Sequence, residues 1–214
     1  MAFQGFKWPL PERTAFFLSR QPGTNTLIAG DCGGFVTFWA VMTLFTMGLQ
    51  NSGRMERIVT PEHFHDYGKA MFAFTFFWGY IAFSQYMLYW YANIPEETHW
   101  YLIRSQNGWG TVGLVTLFAT FALPFVGLIS RFAKRKRKIL AFWAFWIIVA
   151  QWINLYWVIM PQFSENFVFS PMDVTAFFGV GGVWLAGITR LAMGHSLVPT
   201  RDPRLDESLR FENA

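Results

Sequence analysis

Long apolar segments separated by polar loops are the feature that most constrains the fold of this chain. Five of them are long enough for a helix to cross the ~30 Å hydrocarbon core of a bilayer. They cover about residues 26–49, 69–91, 109–129, 139–160 and 172–193. With 53% hydrophobic and only 14% charged residues, the 214-residue chain is also too apolar for an ordinary soluble domain. The sequence therefore predicts an all-α integral membrane protein with about five transmembrane helices.

The basic residues fall mainly on one side of this arrangement. Residues 131–138 (RFAKRKRK) contain six basic residues in eight, and thirteen of the 17 Lys and Arg residues lie on the same side as this loop. Short loops rich in Lys and Arg stay in the cytoplasm. We therefore expect an N-terminal arm (1–25) on the side away from the cytoplasm, a transmembrane domain (26–193) and a cytoplasmic C-terminal tail (194–214). The net charge of +4 reflects topology and does not indicate nucleic-acid binding.

The second apolar segment carries a stripe of polar side chains. Tyr80 and Ser84 are four residues apart, and so are Gln85 and Tyr89. On a helix these pairs form two adjacent rows on one side. Polar groups that face lipid are costly, so this side is expected to face protein or water.

Charged residues open the helix that leads into this stripe. Thr60 and Pro61 are typical of the start of a helix. Asp66 and Lys69 follow three residues apart, a spacing that suits an ion pair. The functional interpretation is a proton entrance that leads towards Tyr80. The alternative is a cluster of charges at the membrane interface, with the lysine reaching out to water.

Four further polar residues in or beside the apolar segments also have structural alternatives. Asp31, about one turn inside the first segment, is either a functional carboxylate or a cap of the helix start. Gln151 and Asn154, three residues apart in the fourth segment, are expected to form hydrogen bonds between helices rather than to contact a ligand. Asp173 follows Ser170 by three residues, the spacing of a capping box.

The apolar segments hold no set of residues of the kind that binds a redox cofactor or a metal. The four histidines, His63, His65, His99 and His195, lie at or beyond the predicted helix ends, so none projects from a span towards a haem iron. The single cysteine, Cys32, cannot by itself hold zinc or an iron–sulfur cluster. We therefore expect no catalytic residue, no metal site and no cofactor in this chain.

Residues 63–98 (HFHDYGKAMFAFTFFWGYIAFSQYMLYWYANIPEET) resemble a known family. They are similar to the ActF-type membrane subunits of alternative complex III, which are relatives of the NrfD-like membrane subunits of polysulfide reductase. The likeness continues in residues 151–161 (QWINLYWVIMP) and 197–213 (LVPTRDPRLDESLRFEN). The family subunit has about ten spans, and this chain matches its C-terminal half.

The resemblance implies a subunit of a complex that oxidises membrane quinol and passes electrons to periplasmic subunits. Such a subunit would hold no redox cofactor and would scaffold the membrane part. Its expected partners are a multihaem cytochrome c, an iron–sulfur subunit, a second NrfD-like subunit and membrane lipid. The quinol, the iron–sulfur clusters and haem c would thus bind to partner subunits.

Proton conduction is a separate expectation from the same resemblance. The pathway would comprise Asp66, Lys69, Tyr80, Ser84, Gln85 and Tyr89. One departure counts against a complete pathway. Where the family has an ionisable residue in the fourth segment, this sequence has the amides Gln151 and Asn154, which release no proton at neutral pH.

Two alternative functions stay open at this point. In one, the chain binds quinone in its own right, with Tyr80 or Gln85 hydrogen-bonded to the quinone headgroup. In the other, it is a small stand-alone transporter or channel built on the same polar stripe.

Overall fold

The computed structural model describes residues 24–53, 55, 58–93, 95–164, 166–167, 170–194 and 203–210. The side chains of residues 24–32, 95–97, 206 and 208 lie outside this description. Within the described residues all regular elements are helices, which confirms the predicted all-helical class. Nearly all of the predicted N-terminal arm, residues 1–23, lies outside the described residues, as do residues 195–202 and 211–214 of the predicted tail.

The helices follow one another with short connections. In chain order they are α1 (Thr24–Asn51), α2 (Pro61–Ala92), α3 (Pro95–Ser105), α4 (Trp109–Leu117), a π-helical turn (Phe118–Ala122), α5 (Leu123–Ile129), α6 (Arg131–Arg135), α7 (Arg137–Ile159), a 3-10 turn (Met160–Gln162), α8 (Pro171–Met193) and α9 (Leu205–Leu209).

Four helical stretches within the described residues are long and apolar enough to cross a membrane. They are Gly33–Asn51, Trp109–Ile129, Arg137–Gln162 and Pro171–Met193. The predicted second span lies inside α2, which is longer than any of these but is not among the four. Its Tyr, Gln and Trp residues lower the hydropathy of the helix. A fifth span, and the opposite placement of the two termini that depends on it, therefore stay predictions.

The core lies where α1 packs against α2 and α7. Met71 of α2 and Leu140 of α7 are fully buried there. Ala40 of α1 and Ala144 of α7 are also fully buried, and such small side chains let helix backbones approach closely. In a membrane, this close packing is a main source of helix association because lipid is as apolar as the side chains.

The third predicted span contains a π-helical turn just before Pro124. In a π-helix the carbonyl of Ala119 would accept a bond from residue 124, but proline has no backbone N–H. Instead, the indole Nε1 of Trp146 in α7 donates to the Ala119 carbonyl at 2.9 Å. A side chain of the neighbouring helix thus donates the hydrogen bond that the proline cannot supply to this carbonyl.

Two helix starts follow the sequence signals. α2 begins at Pro61, and the Thr60 N–H donates to Nδ1 of His63 at 3.2 Å. α8 begins after Ser170, whose N–H donates to Asp173 Oδ2 at 3.0 Å. The predicted capping box of Ser170 and Asp173 is confirmed.

Asp31 lies seven residues after the first residue of α1, and the first turn of that helix holds no acidic residue. Asp31 therefore does not lie at the helix start, where a capping residue would be. In the predicted cytoplasmic tail, the described residues Leu205–Leu209 form a short helix.

Candidate functional site

The start of α2 and the short helix α6 form a charged cluster at one end of the bundle. Lys69 Nζ lies 2.8 Å from Asp66 Oδ1, so the predicted ion pair is present, and both side chains are almost half exposed. Arg135 of α6 forms a second ion pair, with Nη2 2.8 Å from Glu62 Oε1. The side chains of Asp66 and Lys69 are therefore in contact with bulk water.

His65 lies buried beside these ion pairs, with 6% of its surface exposed. Burial is the largest cause that lowers the pKa of His65 below its ordinary value of 6.5, and the charges of Lys69 and Arg135 lower it further. Its Nδ1 has no hydrogen-bond partner among the described residues. A neutral imidazole can both accept and donate a proton. The sequence places His65 in this cluster but does not predict its burial, which depends on how the helices pack.

The polar stripe of α2 faces outward. Tyr80 is 58% exposed, and Ser84, Gln85 and Tyr89 are partly exposed. The other side of α2 packs inward at Gly79, where an added Cβ would lie 2.3 Å from the Phe121 ring. The stripe therefore lies on the surface of this chain and not in its interior.

The charged cluster and the stripe are not brought together. Tyr80 follows Asp66 by 14 residues, or ~21 Å of helix. Thr75 lies between them, but it is buried and its hydroxyl donates to the carbonyl of Met71 in the same helix at 2.8 Å. Exposed Phe76 fills the outward side before Tyr80. A proton pathway along α2 would therefore need water or polar groups from another chain.

At its other end the stripe reaches α3. The rings of Tyr86 and Tyr89 lie 5.7 and 5.4 Å from the ring of Tyr101. Burial, followed by the nearby Tyr89 and Tyr86, raises the pKa of Tyr101 to about 12. The Tyr101 hydroxyl is therefore protonated at neutral pH and can donate a hydrogen bond.

Arg104 fixes α3 to the end of α7. It is 3% exposed, its Nη1 donates to the Trp100 carbonyl at 3.0 Å, and its Nη2 donates to the Val158 carbonyl. Its guanidinium carbon lies 3.8 Å from the centre of the Trp100 ring. Burial lowers the pKa of Arg104 to about 10, so it stays charged at neutral pH. The sequence shows Arg104 only as a basic residue at a helix end, which favours the last carbonyls of its own helix.

The two amides of α7 lie inside the bundle. Gln151 and Asn154 are buried, and Asn154 Nδ2 donates to Gln151 Oε1 at 3.1 Å. Among the described residues, this bond runs along α7 and not between helices. Gln151 contacts α1 at Gly33, where an added Cβ would lie 2.6 Å from Gln151 Oε1.

No group of three or more His, Cys, Asp and Glu side chains that could hold a metal ion occurs among the described residues. The absence of a cofactor from this chain stays a prediction. No protein-family model matches the chain. No curated protein matches it either.

Proposed function

We propose that this chain is an integral-membrane subunit of a quinol-oxidising electron-transfer complex of the alternative complex III type. The choice of complex rests on the resemblance of residues 63–98, 151–161 and 197–213 to ActF-type subunits. The proposed subunit holds no redox cofactor of its own and scaffolds the membrane part of the complex. It lies in a bacterial inner membrane with a periplasmic N-terminus and a cytoplasmic C-terminus.

The observation that best supports a subunit, and not a self-contained protein, is the exposure of α8. None of its residues is buried. It contacts α7 near its start, where the Tyr156 hydroxyl donates to Asp173 Oδ2 at 3.3 Å and the rings of Trp152 and Phe177 lie 5.6 Å apart. A transmembrane helix with so little contact to its own chain is suited to pack against another subunit.

The glycines of α8 support the same proposal. A Cβ added at any of four positions would meet no atom within 4 Å; they are Gly179, Gly181, Gly182 and Gly187. Small residues allow a neighbouring transmembrane helix to approach closely. No helix in the described part of the chain uses that space.

The outward polar stripe of α2 supports a second contact with a partner. A partner helix over Tyr80, Ser84, Gln85 and Tyr89 would keep these groups from lipid, where polar side chains are costly. Proton conduction, if the complex carries it out, would then run between two chains. The partner's side chains would bridge the distance from Asp66 and Lys69 to Tyr80.

The stand-alone transporter receives less support from this geometry. A pathway through one chain needs its polar groups in the interior, but Tyr80 faces outward. A quinone site in this chain would lie on the outward surface, where Tyr80 is exposed to the lipid.

Purification in a mild detergent through a C-terminal tag tests the proposal. We expect multihaem cytochrome c, iron–sulfur and second NrfD-like subunits in mass spectra of the purified material, together with a c-type haem absorption spectrum. Recovery of the folded chain alone and without haem would refute the proposal.

A further inference from the structure

Residues 131–138, here called the basic segment, hold six cations on a fixed backbone. The segment consists of α6 and the start of α7. The Lys134 N–H donates to the Ser130 carbonyl at 3.4 Å, and the Lys136 N–H donates to the Phe132 carbonyl at 3.2 Å. Two consecutive helices therefore set the positions of the cations, unlike in a flexible loop.

Three of the six cations fasten the segment to α1 and α2. Arg135 pairs with Glu62, and Arg137 Nη2 donates to Asn51 Oδ1 at 3.0 Å. The Lys134 nitrogen lies 4.7 Å from the centre of an aromatic ring of α2. These contacts hold the segment against the bundle, and the remaining cations lie on the segment's surface.

Lys136 and Lys138 are exposed, and neither pairs with a carboxylate in the described part of the chain. The Lys136 nitrogen lies 4.1 Å from the centre of the Phe132 ring, and Phe132 is 58% exposed. The segment thus presents unpaired positive charge directly beside an exposed apolar ring.

The segment also lies at the membrane boundary, because it joins the end of the span Trp109–Ile129 to the start of Arg137–Gln162. The carboxylates of α2 near it, Glu62 and Asp66, are already paired with cations. A ligand that suits this surface has a negative headgroup at the level of the lysines and an apolar part at the level of Phe132.

We propose that the basic segment binds the phosphate headgroups of anionic phospholipids. Lys136 and Lys138 contact the phosphate oxygens, and Phe132 inserts at the top of the acyl chains. Clusters of basic residues next to a transmembrane helix attract anionic lipid. The site is separate from the polar stripe of α2 and does not depend on the proposed role in quinol oxidation.

The test compares lipid binding to the full-length protein and to a variant with Lys136→Gln and Lys138→Gln. Binding of labelled phosphatidylglycerol and phosphatidylcholine is measured in detergent, together with any subunits that purify with the chain. Each cation of a basic segment next to a transmembrane helix contributes about fivefold to the binding of anionic lipid, so we expect the variant to bind phosphatidylglycerol about 25-fold more weakly. Four basic residues of the segment are unchanged, which preserves its contacts with α1 and α2.

A matched control removes two exposed cations elsewhere, with Arg190→Gln and Arg210→Gln. It should bind phosphatidylglycerol like the unmodified protein, and a variant with Lys136→Arg and Lys138→Arg should too. Soluble glycerol phosphate should compete weakly. Equal binding of the two lipids, unchanged binding by the glutamine variant, an equal loss in the control, or strong competition by glycerol phosphate would each overturn the proposal.

Discussion

Two buried threonine hydroxyls among the described residues donate within their own helix, to the carbonyl four residues earlier. Thr43 donates to the carbonyl of Trp39 at 2.7 Å, and Thr75 donates to that of Met71 at 2.8 Å. Such local bonds remove the cost of burying a hydroxyl without linking helices. Arg104 differs because its guanidinium bonds to the Val158 carbonyl of another helix. Its loss should therefore affect stability more than the loss of a threonine hydroxyl.

Replacing Arg104 with Met tests this contact. The substitution keeps an apolar stem but leaves the Val158 carbonyl without its charged donor. Since a hydrogen bond to a charged group contributes about 1.5–3 kcal/mol, we expect a loss of stability of that order. The measurement is the thermal unfolding midpoint in detergent. Ser105→Ala, which removes an exposed hydroxyl next to it, is the control and should leave the midpoint unchanged. Equal midpoints for all three proteins would mean that Arg104 does not fasten α3 to α7.

His65 should make stability depend on pH. Its pKa is lowered by burial in the folded protein, so the unfolded chain binds a proton more readily as the pH falls below about 6.5. The contribution of neutral His65 is therefore present above that pH and is lost as the pH falls towards the lowered pKa. We expect the melting temperature of the His65→Gln variant to differ less between pH 8 and pH 5 than that of the unmodified protein.

Thr75→Ala is the matched control for this prediction. Thr75 is buried in the same helix and its hydroxyl does not titrate in this range, so its replacement should lower the melting temperature at every pH. The difference in melting temperature between pH 8 and pH 5 should stay as large as in the unmodified protein. If His65→Gln keeps the full pH dependence, another group is responsible.

At the scale of helices, the sequence predicts the elements well where a cap or a proline sets the boundary. Thr60 with Pro61 and Ser170 with Pro171 mark helix starts that the structure has. The apolar runs mark the membrane core and not the helix ends. This explains why α2 begins eight residues before the predicted span that starts at residue 69.

The sequence does not predict which side of a helix is buried when aromatic residues surround it. In α2, Tyr80 is exposed while Trp78 is buried, although both are aromatic and only two residues apart. The burial of His65 and the contact of Arg104 with Val158 are likewise set by packing between distant elements. Such contacts depend on how helices pair, which the periodicity of one segment does not determine.

A pair of substitutions at the π-helical turn tests whether Trp146 replaces the backbone donor that Pro124 lacks. Trp146→Phe keeps an aromatic ring but removes the donor to the Ala119 carbonyl, and an unpaired buried carbonyl costs about 1–3 kcal/mol. Pro124→Ala supplies a backbone N–H that can reach the same carbonyl. We therefore expect Trp146→Phe to lower the free energy of unfolding of the unmodified protein by about 1–2 kcal/mol. In a protein that already carries Pro124→Ala, the same change should lower it by less. A double-mutant cycle of thermal unfolding measures this coupling. Additive effects would contradict it.

At the scale of the whole molecule, the bundle is built around α1, α2 and α7. The next long helix, α8, has no buried residue. The two ends of α2 differ in chemistry, with ion pairs at its start and aromatic rings near its end. Between them, polar groups face outward. Together with the unburied α8, this gives the chain two long surfaces that are suited to other transmembrane helices.

Gly182→Leu in α8 tests whether that helix docks onto a partner. Thr175, Gly179, Gly182 and Ala186 follow one another at spacings of four, three and four residues, so they share one face of the helix. Since a Cβ added at Gly182 would meet no atom of the described residues within 4 Å, the substitution should leave the melting temperature of the chain itself unchanged. A leucine there should prevent the close approach of a partner helix and reduce co-purifying subunits about tenfold or more.

Val180→Leu places the same side chain on another face of α8 as the control. Val180 is 74% exposed, so this change should affect neither the melting temperature nor the recovery of partners. Quantitative mass spectrometry of the tagged complexes compares the two variants. If both retain their partners equally, the small residues of α8 do not form the docking face. If both lose them, contact is spread around the helix. Only a loss of partners confined to Gly182→Leu supports close packing of a partner helix along the face of α8 that carries Gly179 and Gly182.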